Sequence, residues 1–367
     1  MQIVANWTRM LAAMTVTADS DRRDYCVVVV KGTFLIDHAG AMRLAPEQAP
    51  FIHADEHHGA AETSSIRHES DFALHKPLTD VLIVGKAVAP GGRPVKQMVV
   101  TLDVQGRRKE LLVTGDRQWT STLAGLLPGK VRPFVEMPLL FERAFGGVDD
   151  SQGPGRAAAE PRNLVGIGFQ PHRKRDDIVG RLLPNIERPG QPVVGPRDRP
   201  DPIGVGCTGR SWAPRSRHAG TYDQRWLDNV CPFLPVDFDH RYFQSAPQDQ
   251  QFERFRGDET IHCVHMAEAP RVTYKLPALS VPVRFRFRDR DVQEVGKLDT
   301  VILEPHHGQA MLVWRARVAL GKKIESLREI TVGHPPVSAG ASVGQRRGKP
   351  VFRGIEATLR WLKGRRP

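Results

Sequence analysis

Cysteine is scarce in this sequence, and its spacing removes one class of metal site. The four cysteines are Cys26, Cys207, Cys231 and Cys263, and no two of them lie within four residues of each other. This spacing excludes a Cys-x-x-Cys zinc pair, and nothing in it requires an oxidising compartment. Cys26 opens an apolar run, so we expect it to be a core thiol.

Targeting and membrane signals are also missing. The N-terminus lacks the basic start followed by an apolar core that defines a secretory signal. No apolar run approaches the roughly 20 residues that a bilayer-spanning helix needs. The sequence therefore predicts a cytoplasmic protein without membrane insertion.

Helix-breaking residues are abundant and point to β structure. The 367 residues include 29 prolines and 33 glycines, which interrupt helices and serve turns. The segment 25–36 (YCVVVVKGTFLI) is typical of a strand buried on both faces. Period-two alternation in 96–104 and 281–288 predicts strands with one buried face. We expect a mainly β fold with antiparallel, sandwich-like sheets and few short helices.

The order of these patterns along the chain suggests its organisation. Strands are predicted within 25–114 and 272–318, and the segment 80–119 is expected to form one antiparallel meander. A long, irregular middle rich in Pro and Gly separates these strand regions.

Two domain organisations fit that order. The first is a single β-rich domain over 1–330. The second is a pair of β subdomains, about 1–145 and 230–330, bridged by the irregular middle at 146–229. In both, 331–367 is a basic tail, and apolar residues at helical spacing predict a short helix over 351–363.

The formal net charge of +12 allows several partners. A basic protein can attract nucleic acid, anionic lipid or an acidic protein. No recognition helix or stacking platform accompanies the charge, so specific nucleic-acid binding is not expected. Non-specific nucleic-acid binding remains an alternative.

The densest ligand-like cluster is HADEHHG at 53–59. His53, Asp55, His57 and His58 could hold a metal for a hydrolase, although their order is not His-Glu-x-x-His. A solvated polar loop is the simpler interpretation. Cys207 has no histidine near it in sequence, so a nucleophilic role would need a partner supplied by the fold.

Eight segments, in order, resemble the bacterial family known as domain of unknown function 2169. The segments are VVVVKGTF (27–34), SDFALHKPLTDVLIVGKA (70–87), TGDRQW (114–119), MPLLFERAFGG (137–147), RNLVGIGF (162–169), LPNIE (183–187), WAPRSRHAGTYDQRW (212–226) and PVDFDHRYFQSAPQDQ (235–250). Each segment is weakly specific, but their shared order is specific.

The resemblance implies a context rather than a reaction. Members of this family are associated with type VI secretion loci, and they look like adaptors or chaperones that hold a toxin effector and help mount it on the spike. The expected partners are therefore a toxin effector and a spike-tip protein. The resemblance carries over no catalytic residue, metal ligand or cofactor.

The motif residues also admit physical interpretations. Gly146 and Gly147 are expected to permit a backbone turn, and Arg143, Asp116, Asp71, Lys76 and Asp80 are candidates for charged pairs that fix loops. Because Trp, Tyr and Arg carry much of the binding energy at interfaces, one motif supplies the predicted contact surface. The predicted partner-binding residues are Trp212, Arg215, Tyr222 and Trp226.

Overall fold

The computed structural model describes residues 1–153, 155–253, 255–321 and 326–335, together with the backbone of 344–346 and 349–351. Strands hold 40% of the residues and helices 9%, which confirms the predicted mainly β fold. The described strands are β1 Gln2–Asn6, β2 Leu11–Ala18, β3 Asp24–Ile36, β4 Met42–Leu44, β5 Glu56–His57, β6 Ile66–His68, β7 Thr79–Ile83, β8 Lys86–Val88, β9 Gln97–Val104, β10 Arg107–Thr114, β11 Trp119–Thr122, β12 Gly125–Pro128, β13 Glu136–Pro138, β14 Phe145–Gly146, β15 Val148–Asp149, β16 Ala158–Ala159, β17 Ile167–Gly168, β18 Ile186–Glu187, β19 Gln251–Phe252, β20 Thr260–Val264, β21 Arg271–Lys275, β22 Pro282–Phe287, β23 Asp291–Val295, β24 Lys297–Glu304, β25 Gln309–Ala319, β26 Leu327–Val332, β27 Gly344–Arg346 and β28 Lys349–Val351.

Helices are short in the described part of the chain. The α-helices are α1 Arg175–Ile178 and α2 Gln224–Asn229. The 3-10 turns are Pro90–Gly92, Phe141–Arg143, Arg215–His218, His240–Phe243, Gln248–Gln250 and Pro305–His307. Among the described residues, no helix combines the length and apolar character needed to cross a bilayer.

A seven-stranded sheet forms the centre of the molecule. Its order is β19-β7-β24-β25-β3-β2, and β4 pairs with the end of β3. Four consecutive valines of β3 are buried, as the sequence predicts for a strand covered on both faces. Val28 and Val30 belong to the main hydrophobic core, whereas Val27 and Val29 belong to a second cluster. Successive side chains of a strand point to opposite faces, so β3 contributes to two layers.

Two further sheets enclose the main core. Their orders are β18-β10-β9-β20-β21 and β1-β26-β22-β23. Leu102 of β9 and Phe285 of β22 lie in the same core cluster as Val28 of β3. Most pairings are antiparallel, with parallel exceptions at β1–β26, β7–β24 and β14–β17. The result is the predicted sandwich-like packing of antiparallel sheets.

The predicted single meander over 80–119 is only partly correct. β9 and β10 form a hairpin in full register, with Gln105 and Gly106 at positive φ in the turn. However, β7 joins the central sheet between β19 and β24, and β8 pairs with β13. Local alternation identifies strands but does not choose their partners, and β7 is buried on both faces.

The middle of the chain is irregular, as predicted, but it has its own apolar contacts. Between β14 and β18 it forms two-residue strands and one helical turn. Trp119, Phe145, Ile178, Leu183 and Val193 form a separate buried cluster that holds it. Burial of these side chains supplies the free energy that orders a segment poor in regular structure.

Two predictions on organisation remain open. The main core draws residues from Met10 to Val332, but one domain or two subdomains stays a prediction. The predicted helix over 351–363 lies outside the described residues, apart from Val351, which ends β28.

Candidate functional site

A buried charge network attaches the middle of the chain to its first third. The Arg215 guanidinium donates from Nε to the carbonyl oxygen of Tyr242 at 2.7 Å and forms an ion pair with Glu69. Arg210 binds the same carboxylate at 2.9 Å and also reaches Asp55 at 2.7 Å. Buried charges are tolerated only when paired, so this network fixes the loop that carries Arg210 and Arg215.

A second anchor joins the central sheet to the segment after the 3-10 turn His240–Phe243. The Asp80 carboxylate is fully buried and lies 2.8 Å from the Lys76 ammonium. It also accepts hydrogen bonds from the Gln244 amide at 2.7 Å and from the Ser245 backbone N–H at 2.8 Å. Both oxygens of the Asp80 carboxylate therefore accept hydrogen bonds.

These contacts confirm the interpretation of the charged motif residues as loop anchors. Besides the Lys76–Asp80 pair, Asp71 forms a buried ion pair with Lys31 at 2.8 Å. Arg143 lies 3.5 Å from Asp116. The motifs that carry the resemblance therefore include the side chains that hold the loops of the fold together.

The four predicted contact residues fall into two groups. Trp212 is buried and meets the Phe141 ring edge-on at a centroid distance of 5.2 Å. Arg215 is buried in the network described above, so both side chains are largely covered by the protein itself. Tyr222, in contrast, is 53% exposed, and Trp226 is half-buried. Tyr222 and Trp226 therefore stay the accessible members of the predicted contact set.

Residues 219–238 form an exposed excursion built around α2, which we call the α2 projection. Asp223 caps the helix by accepting a hydrogen bond from the Trp226 backbone N–H at 2.8 Å. The Trp226 indole donates to the carbonyl oxygen of Phe233 at 2.9 Å, and its ring contacts that of Tyr222 at 4.7 Å. The projection is thus closed by its own contacts.

The α2 projection exposes large apolar side chains among polar ones. Leu227 is 55% exposed and Val236 is 79% exposed, in the same segment as the accessible Tyr222 ring. Sequence reasoning missed Leu227 and Val236, because an isolated aliphatic residue in a short segment carries no periodic signal. The projection is tied back to the body by Arg22, which donates to the Asn229 carbonyl oxygen at 2.6 Å.

A cleft with a volume of about 340 Å³ opens beside the Arg215–His218 turn, from which the α2 projection starts. We call it the base cleft. Its basic lining residues are Lys109, Arg162, Arg188, Arg215, His218 and Arg241. Asp201 and Asp249 are its carboxylates. The cleft lining is mixed, with these charged groups beside apolar residues such as Phe141 and Ile203.

Lys109 is the most perturbed group of the base cleft. Its ammonium donates to Asp249 Oδ1 and to Gln250 Oε1, both at 2.7 Å. Burial lowers the pKa of Lys109 to about 8, and the neighbouring Arg188 acts in the same direction, while Asp249 opposes the shift. The buried Lys109 amine is therefore a structural contact, and its lowered pKa should make the stability of the protein depend on pH.

The structure disperses the histidine cluster at 53–58. His53 stacks on Phe72 with ring centroids 5.0 Å apart, and Asp55 pairs with Arg210. Within the described part of the chain, no group of three or more His, Cys, Asp or Glu side chains is placed to hold a metal ion. The metal-dependent hydrolase stays an alternative prediction.

Cys207 does not resemble an activated nucleophile. It is buried in a small apolar cluster with Leu82 and Ile302. Burial raises the pKa of its thiol to about 12, so the reactive thiolate is suppressed near neutral pH.

Comparison with known proteins identifies a family for the chain. Residues 21–315 match the family described as "Uncharacterized protein conserved in bacteria (DUF2169)". Comparisons with curated proteins and with solved structures found no match. The matched range contains the buried charge network, the base cleft and the α2 projection. The chain therefore belongs to the DUF2169 family of bacterial proteins.

Proposed function

We propose that this protein is a cytoplasmic adaptor or chaperone that binds a toxin effector of a type VI secretion system and helps load it onto the spike. The observation that carries the proposal is the α2 projection, which presents apolar side chains to solvent on an anchored support. The link to type VI secretion comes from the resemblance to the family.

The composition of the α2 projection suits a binding surface. Tyr222, Leu227 and Val236 are exposed together within twenty residues of chain, with Trp226 behind them. Exposed apolar groups that cluster on a soluble protein are typical of interaction sites. Tyr and Trp in particular supply large contact areas with few rotatable bonds.

Anchoring makes the projection suitable for reversible loading. The Asp223 cap, the Trp226–Phe233 hydrogen bond and the Arg22 tether hold its shape before a partner arrives. A surface that is already ordered loses less conformational entropy on binding. A few apolar anchors surrounded by polar contacts allow firm binding and later release of the cargo.

The base cleft gives the same partner a second, charged contact. It adjoins the projection through the Arg215–His218 turn, and its lining holds more basic than acidic side chains. Complementary charge speeds association and sets orientation more than it adds affinity. An effector or spike-tip protein with an acidic segment beside an apolar patch would match both surfaces.

Co-purification tests the proposal directly. The full chain is co-expressed with the toxin effector and the spike-tip protein encoded beside it, and capture of each is quantified. We expect Leu227→Asp to reduce capture about thirtyfold, as for loss of an interface anchor. Leu123→Asp is the matched control, because Leu123 is a fully exposed leucine outside the projection. Unchanged capture by Leu227→Asp, with normal melting, would remove the projection from the partner surface.

A further inference from the structure

A cationic pocket lies on the central sheet, and none of its lining residues belongs to the α2 projection. Lys297 of β24 pairs in register with Arg315 of β25, so both side chains project from the same face of the sheet. Arg317 follows two residues later and shares that face. The three side chains line a pocket of about 270 Å³, together with Leu74 and His75.

Arg315 is the buried member of this group. It is only 6% exposed, its Nη1 pairs with Asp299, and its Nη2 donates to the Asp71 carbonyl oxygen at 2.6 Å. Its Nε has no hydrogen-bond partner among the described residues. A buried guanidinium N–H without a protein acceptor is costly, so an oxygen that reached this atom would be stabilised.

Two more cations have no carboxylate of their own. Within the described residues, neither Lys297 nor Arg317 lies within ion-pair distance of an acidic side chain. The Arg317 guanidinium sits over the Tyr25 ring at 5.1 Å, which orients it without neutralising it. Lys76, the remaining lysine of the lining, is already paired with Asp80.

The other lining groups sharpen this picture. Burial lowers the pKa of His75 to about 4, and Arg317 adds repulsion, so the imidazole is neutral at pH 7. The lining contains two carboxylates, Asp299 and Glu294. Asp299 pairs with Arg315, whereas Glu294 is exposed on β23 and does not pair with Arg315. It would repel an anion, and its removal should favour binding.

We propose that this pocket binds a compact oxyanion of the phosphate type, held by Lys297 and Arg317 beside the buried guanidinium of Arg315. Guanidinium groups match phosphate oxygens in geometry, and lysine adds a point charge. A dianion gains more than a monocarboxylate from the two unneutralised cations. The volume accommodates free phosphate or the phosphoryl group of a small molecule.

The experiment uses inorganic phosphate and the full chain. Phosphate replaces chloride at constant ionic strength while the melting temperature is recorded, and isothermal titration calorimetry gives the affinity. We expect saturable binding, weakened about tenfold by Lys297→Met or Arg317→Gln and strengthened by Glu294→Gln. Lys130→Met is the matched control, since Lys130 is an exposed lysine outside the pocket.

The variants separate a built site from a general effect of net charge. Equal weakening by Lys130→Met and Lys297→Met would overturn the proposal, as would binding insensitive to all four substitutions. Acetate acting as strongly as phosphate, with the same dependence on Lys297, would overturn the phosphate assignment in favour of a carboxylate. A larger, Lys297-dependent response to a small phosphate ester than to free phosphate would support the site and identify the ester as the source of the oxyanion.

Discussion

Arg215 and Glu69 form a buried ion pair although 146 positions separate them in the chain. The pair connects the WAPR motif to the residues that follow β6, and Arg210 joins it through the same carboxylate. Arg215, which the sequence predicts to contact a partner, is therefore a buried support of the loop that leads into the α2 projection.

Replacing Arg215 by methionine should destabilise the fold rather than weaken binding alone. Removing one member of a buried pair leaves the other charge uncompensated, which lowers the free energy of unfolding by about 3 kcal/mol. Arg210 limits this loss because it also pairs with Glu69. Urea denaturation measures the free energy of unfolding. The double variant Arg215→Met with Glu69→Gln should lose less than the sum of the single variants. If Arg215→Met unfolds with the same free energy as the unchanged protein but no longer binds the cargo, Arg215 contacts the partner directly.

Much of the β architecture could be predicted from local patterns. The valines of β3 indicate burial on both faces, and Gln105-Gly106 between two alternating runs indicates the β9–β10 hairpin. The position of β7 could not be predicted, because its neighbours β19 and β24 lie more than 150 residues further along the chain. Which strands pair is decided by packing across the whole molecule.

The candidate site shows the same limit more sharply. Trp212 and Tyr222 have similar side chains and belong to one motif, yet one is buried and the other exposed. Residue type favours both as interface residues. They differ because Trp212 packs against Phe141 in the fold, whereas Tyr222 stays exposed. The exposure of Leu227 and Val236 could be recognised only from the structure.

The turn at Gly146 should tolerate no side chain. Its φ is +151°, and a Cβ atom there would lie 2.3 Å from the Asn163 carbonyl oxygen. We expect Gly146→Ala to lower the free energy of unfolding by about 3 kcal/mol or more. Gly91→Ala is the control: φ is +62° with no atom within 4 Å, so only the left-handed backbone cost of about 1 kcal/mol applies. Equal losses would show that the close contact at Gly146 relaxes freely.

Thiol labelling should distinguish one cysteine from the other three. Cys231, in the α2 projection, is exposed, whereas Cys26, Cys207 and Cys263 are buried. Burial raises the pKa of each buried thiol, to about 11 for Cys26 and about 12 for Cys207. A thiol reagent should therefore modify one cysteine rapidly in the folded protein and all four after denaturation. Rapid labelling that survives Cys231→Ser would contradict this placement, and slower labelling with cargo bound would report coverage of the projection.

Lys109 should give the protein a stability change in alkaline solution. Its ordinary pKa is 10.5, and burial lowers the pKa to about 8 in the folded state. Between these values the unfolded chain binds more protons at this amine than the folded chain does. Stability contributed by Lys109 therefore rises as pH increases from about 8 towards 10.5, and the cost of the buried charge is fully present below pH 8.

Lysine-to-methionine substitution at 109 isolates this contribution, because other titrating groups act equally in both proteins. The free energy of unfolding is measured by urea denaturation for the unchanged protein and for Lys109→Met at pH 7 and at pH 10. We expect the difference, unchanged protein minus variant, to increase by about 2 kcal/mol over this interval. Lys96→Met serves as the control, since Lys96 is exposed and should leave the difference flat. A difference that is constant with pH for Lys109→Met would mean that Asp249 compensates the burial fully, and that the amine of the base cleft titrates as a surface lysine does.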